Sequence, residues 1–177
     1  YPEAALNAAW VAESAYFELL PERLVPPKAR VPADTTPERY LEERCYTALI
    51  QRYEGEAVAR ARARLEEELA TVRALGLAEF FLVAAEVTDY CRRHGILAAG
   101  RGSAAASIVC YLLGVTMADP LKHDLLFERF LHTGKTSMPD VDIDISSARR
   151  GEVLAWVEER FGEATEAMVC NKITYRL

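Results

Sequence analysis

Residues 136–146, TSMPDVDIDIS, place aspartates at 140, 142 and 144 with Val141 and Ile143 between them. Val and Ile favour strands, and a strand's side-chain period of two sends all three carboxylates to one face. A fold that accommodates this stretch needs one apolar and one acidic face on the same strand. Adjacent carboxylates repel, and nothing nearby in sequence neutralises all three. One reading is a solvent-exposed face of an edge strand. A calcium loop of the EF-hand type fails, because it needs Gly at its sixth position and Glu at its twelfth, and here those are Ile145 and Gly151. A metal site remains. Two carboxylates two residues apart on a rigid strand suit a pair of divalent ions roughly 3.5–4 Å apart, and hard oxygen ligands select Mg²⁺ or Mn²⁺.

The rest of the chain supplies helices and few strands. With 177 residues, 51% of them hydrophobic and 27% charged, it has the composition of a globular protein with a sizeable core. Residues 3–20 have a helical composition. Five prolines at 21, 26, 27, 32 and 37 then forbid a regular helix, and the stretch is expected to be an extended linker and an internal boundary. Thr36-Pro37-Glu38 combines an N-cap, a first-turn proline and a first-turn acid, predicting a helix over 37–53. A second helix is expected over 56–75, stopped by Gly76, and a third over 79–94, stopped by Gly95. In the second, Arg60, Arg62, Arg64 and Glu66, Glu67, Glu68 are expected to form a solvated face, the rival reading being a face that contacts DNA. Ile96 to Ala99 suits a short buried strand. Gly100-Arg101-Gly102-Ser103 breaks it, and a helix is expected to resume through 104–114. Further expectations are a short helix near 122–131, another over 148–162, and a strand starting in 166–177.

A glycine-rich turn entering a helix presents unpaired backbone N–H groups at the positive end of the helix dipole, a place suited to phosphate. Ser103 stands where its hydroxyl caps a helix or meets a phosphate oxygen, and Arg101 offers a planar fork for the same oxygens. The bland alternative is a tight turn with a serine cap. The stretch is neither a Walker A loop nor GxGxxG, since Ala105 stands at the third glycine. Arg129 and Lys135, shortly before the acids, are each either triphosphate partners or surface charges. A phosphate-cradling turn some forty residues before a two-metal strand implies nucleotidyl transfer.

Other properties narrow the class. Cys45, Cys91, Cys110 and Cys170 form no CxxC pair, which argues against zinc and fits a reducing compartment. No apolar run approaches the roughly 20 residues that span a bilayer. The net charge of −6 places most of any grip on DNA outside this stretch. The Tyr1-Pro2 start is that expected of a piece of something longer.

GRGSAAAS (100–107), DPLKHDLLFERFL (119–131) and SMPDVDID (137–144) occur in an order and at a spacing that resemble the bacterial C-family replicative DNA polymerases, the alpha subunit of DNA polymerase III. The resemblance covers essentially the whole chain. It implies an α/β (α+β) architecture with a mainly helical first half and an incomplete palm like that of polymerase beta-type nucleotidyltransferases. Residues 1–36 would be the tail of a PHP domain and the proline-rich linker, 37–95 a thumb-like, palm-flanking helical segment, and 96–177 a partial palm. Asp140 and Asp142 would be the catalytic, metal-binding acids, with Asp144 a third ligand. Arg101, Gly102, Ser103, Arg129 and Lys135 would face the incoming nucleotide, two Mg²⁺ or Mn²⁺ ions being the cofactor. Lys135 stands where the family usually has arginine.

The resemblance further implies template-directed DNA synthesis in replication or repair, with primer–template DNA and deoxynucleoside triphosphates as partners. Other replication subunits would attach elsewhere, without a membrane, in the cytoplasm at the nucleoid. The family's third catalytic acid lies past Leu177, so the stretch alone is expected not to polymerise. The alternatives are a non-catalytic scaffold or binding module in a repair complex, and a transferase that copies no template.

Overall fold

The computed structural model describes residues 2–15, 28–132, 134, 139–162 and 167. It is an α+β fold, mostly helical, with one two-stranded antiparallel sheet among these residues. Helix α1 (Pro2–Ser14) is exposed along its length, and residues 16–20 of the expected first helix lie outside the described ones. The linker's described part, 28–36, is irregular as its prolines require. It lies on the protein's surface, with Ala29 and Val31 packed against the core and the Arg30 amide donating to Glu86 Oε1 at 2.7 Å.

Helix α2 (Pro37–Arg52) starts as its sequence demands. Thr36 is extended and its hydroxyl accepts from the Arg39 amide at 3.3 Å, with Pro37 at the first helical position. Leu41, Cys45 and Leu49 recur every fourth residue and form its buried stripe. Helix α3 (Ala57–Ala74) buries Ala61, Leu65, Leu69 and Val72, and Gly76 at φ +65° ends it. Helix α4 (Ala78–Arg93) buries Phe81, Leu82, Ala85 and Cys91 and stops before Gly95, φ +63°.

Strand β1 (Ala98–Arg101) pairs antiparallel with strand β2 (Asp142–Ile145), aligning Ala98 with Ile145, Ala99 with Asp144, Gly100 with Ile143 and Arg101 with Asp142. On its other edge β1 meets the chain at Val115–Thr116, where the Gly100 amide donates to the Val115 carbonyl at 2.7 Å. One apolar core joins α2, α3 and α4 to Ile108, Val109, Leu112, Val115, Phe127 and Phe130. This core draws on residues from both sides of 95–96. A smaller cluster of Cys91, Ile96 and Val153 seats Ala98 and Ile145 between α4 and helix α6 (Arg150–Phe161).

Two expected helices take other forms. The resumed helix over 104–114 is a 3₁₀ turn (Gly102–Ala106) followed by a separate five-residue helix α5 (Ile108–Leu112). Ser107, extended at φ −94° and ψ 125°, divides them and caps α5 by accepting from the Cys110 amide. The helix near 122–131 is a run of turns closing in a 3₁₀ turn (Phe127–Arg129). There Asp119 accepts from the Leu121 and Lys122 amides, and Asp124 adopts φ +50°, which an α-helix excludes. The expected terminal strand lies outside the described residues.

Candidate active site

The acidic strand alternates as its sequence requires. Asp140, Asp142 and Asp144 are exposed, while Val141, Ile143 and Ile145 are half-buried. Val141 packs on the main core and Ile145 on the smaller cluster, fixing which face the acids take. Strand geometry covers Asp142 and Asp144, with Asp140 just before it, following the buried Pro139.

The antiparallel register brings the glycine-rich turn to the acids. Arg101 lies directly across from Asp142. Its Nη1 is 3.4 Å from Asp142 Oδ2, and its Nε donates to Asp144 Oδ1 at 3.1 Å. The guanidinium thus stands between two carboxylates as their counter-charge, a role the sequence did not show because 43 residues separate Arg101 from Asp144. These groups are open to water, with side chains 60% (Arg101), 50% (Asp142) and 73% (Asp144) exposed, so each bond contributes modestly to stability.

Gly102 follows at φ +70°, a left-handed conformation that costs other residues about 1–2 kcal/mol. A Cβ there would lie 3.8 Å from Asp142 Oδ2, so the turn and the acid are in van der Waals reach. Ser103 is exposed on the same turn, but the helix cap is Ser107. The 3₁₀ turn that carries Gly102 and Ser103 packs against the one that carries Arg129. Arg129 is exposed between the buried Phe127 and Phe130, whose rings lie edge to face with centroids 6.3 Å apart. Asp140, Asp142, Asp144, Arg101, Gly102, Ser103 and Arg129 therefore all belong to the strand pair and the turns beside it. Lys135 lies outside the described residues.

The donor set on β2 is one of hard oxygens exposed on a single face, the donor type that Mg²⁺ and Mn²⁺ take, and here Asp142 and Asp144 are paired with Arg101 instead. Among the described residues no three His, Cys, Asp or Glu side chains converge as a cation cluster. The pair on β2 faces Arg101.

Two residues of the expected solvated face are turned inward instead: the Arg64 side chain is 18% exposed, and Glu68 goes further. Glu68, expected on a solvated face, is fully buried. Its Oε1 accepts from the Ile108 amide at 3.0 Å and from Arg64 Nε at 2.9 Å. Its Oε2 accepts from Ser107 Oγ at 2.8 Å and from the Val109 amide at 3.2 Å. The anion at the start of α5 is therefore the protein's own carboxylate. Burial pushes the Glu68 carboxyl up, and these four donors, led by the Ile108 amide, pull it back. Its signal in the sequence was the i, i+4 spacing to Arg64, which is equally common on exposed helix faces.

The chain belongs to the bacterial DNA polymerase III alpha family. Residues 39–177 match the family model described as the bacterial DNA polymerase III alpha NTPase domain. The relatives it resembles are error-prone DNA polymerases. That of Corynebacterium glutamicum is 42% identical over 153 residues, 85% of this chain and 14% of the relative. Those of Mycolicibacterium paratuberculosis and Mycobacterium tuberculosis H37Rv are 41% and 40% identical over 178 residues, each 99% of this chain and 16% of the relative. The chain thus spans about one-sixth, or less, of the curated relatives it matches. Among the described residues no helix is long and apolar enough to cross a membrane.

Proposed function

We propose that this chain carries the first part of the catalytic palm of a template-directed DNA polymerase of the error-prone kind its relatives are named for. The activity is that of the longer protein, acting on primer–template DNA and deoxynucleoside triphosphates, with other replication or repair subunits meeting it elsewhere. The observation that carries this reading is the strand pairing that sets Gly102 and Arg101 against Asp142 and Asp144.

Asp140 and Asp142 would hold two Mg²⁺ or Mn²⁺ ions, with Asp144 beside them. When bound, the ions favour the attacking form of the primer 3′ hydroxyl and offset charge at the phosphate. The chain's own groups do the rest. Gly102 lets backbone come close to the triphosphate where a Cβ would intervene, and the Ser103 hydroxyl and the Arg129 guanidinium orient its oxygens. Lys135 would add a further cation. Arg101 keeps the paired acids from repelling one another and has N–H groups that suit phosphate.

The test is primer extension by the intact protein that contains residues 1–177, with Asp142→Asn and Asp140→Asn beside the unsubstituted protein. Incorporation lost in both variants, together with loss of saturable Mn²⁺ binding, supports the polymerase palm. Incorporation retained in both, or absent from the unsubstituted protein, removes it and favours a scaffold role.

A further inference from the structure

The turn bearing Gly102 and Ser103 and the segment bearing Arg129 are joined through one point on α3. Beside the four bonds to Glu68, Arg64 Nη2 donates to the Leu125 carbonyl at 3.0 Å and to the Ala106 carbonyl at 3.4 Å. Its guanidinium also lies over the Phe127 ring, 5.6 Å from the centroid. Ala106 ends the glycine turn, and Leu125 leads into Phe127–Arg129. Thus Arg64 ties both segments to α3, and Glu68 fixes Arg64 while holding Ser107, Ile108 and Val109 immediately after the turn. Glu68 is fully buried and the Arg64 side chain is 18% exposed, so the geometry is shielded from water.

We propose that Arg64 and Glu68 are positioning residues, setting the nucleotide-binding turn and the Arg129 segment at a fixed separation from one another and from Asp142. Neither would touch the nucleotide. Their effect comes through where Gly102, Ser103 and Arg129 are held, so the inference rests on the polymerase reading above. A buried carboxylate is an expensive way to hold a helix start when Ser107 already caps it. Here its charge is matched by a guanidinium that also reaches both segments.

The test uses the intact protein in single-nucleotide primer extension, with kcat, KM for the nucleotide and primer–template affinity measured per active molecule. Glu68→Gln keeps the side chain's shape and removes the charge that orients Arg64. It is expected to raise KM for the nucleotide about tenfold while leaving DNA affinity within about twofold, misplacements of an ångström being amplified at such sites. Amide exchange is expected to rise together in residues 98–106 and 125–131. Unchanged KM with only a smaller active fraction would mean a purely structural role and overturn the proposal. Exchange confined to 107–112 would also overturn it. If Glu68→Gln does not fold, Ser107→Ala, which removes one of the four donors, carries the test with a smaller rise in KM expected. Inactivity of the unsubstituted protein would overturn the polymerase reading itself, a result distinct from an active enzyme whose KM ignores Glu68.

Discussion

Gly100 sits in β1 between β2 and the Val115–Thr116 segment, and Gly100→Ala probes how tightly this part of the site is built. A Cβ at Gly100 would lie 2.9 Å from the Val115 carbonyl oxygen, 3.0 Å from Thr116 Cγ2 and 3.2 Å from Val115 Cγ1. The closest of these is backbone and cannot swing away, and it also accepts the Gly100 amide at 2.7 Å. The strands therefore have to part by a few tenths of an ångström. Overpacking of this kind costs about 1–3 kcal/mol, and weakening the hydrogen bond adds about 1 kcal/mol. The expected loss is about 2–4 kcal/mol, a large share of the roughly 5–15 kcal/mol that holds a domain. Urea unfolding followed by far-ultraviolet circular dichroism measures it. Gly151→Ala is the control: nothing lies within 4 Å of a Cβ there, and in α6 alanine is expected to gain about 0.5 kcal/mol. A Gly100→Ala midpoint equal to that of the unsubstituted protein would refute the close-approach argument.

Two further outcomes are expected. Burial pushes the Cys45 and Cys91 thiols up and Cys110 up to about 12, so iodoacetamide at about pH 8 should leave all three unmodified until denaturant is added, as peptide mass spectrometry would show. The Arg149 guanidinium holds the Glu152 carboxyl below its usual range. A carboxyl depressed on folding contributes stability above its unfolded value and loses it as pH falls through the folded one, so the urea midpoints of the unsubstituted protein and Glu152→Gln should converge in acid.

Where a feature depended on neighbours in sequence, it was legible. The Thr36-Pro37 start of α2, the glycines that end α3 and α4, and the Asp-Val-Asp-Ile alternation all act within a few residues. What escaped depends on partners far along the chain. Glu68 looked like one of three solvated acids because the amides that bury it lie 40 and 41 residues downstream. Arg101 looked free for phosphate because its carboxylates arrive only through strand pairing. The apolar run over 104–114 favours a single helix. Ser107 sits inside that run but spends its hydroxyl on Glu68 and Cys110, ending one element and starting the next. Near 122–131 the Asp119 side chain captured amides that a helix would have used.

Helix α4 has no idle side. Phe81, Leu82 and Ala85 enter the main core, while Val87, Tyr90 and Cys91 face the smaller cluster under the sheet. Glu86 holds Arg160 and the Arg30 amide, and Asp89 holds Arg44 and Arg92. One extra residue inside this helix would turn everything after it by about 100°, aiming the carboxylates at the core and the apolar side chains at water. Length changes in descendants of this chain are thus barred from 78–93. Connections between helices, such as the turn at Gly55 between α2 and α3, are where length changes are better tolerated, because surface turns absorb an added residue without rotating a packed helix face.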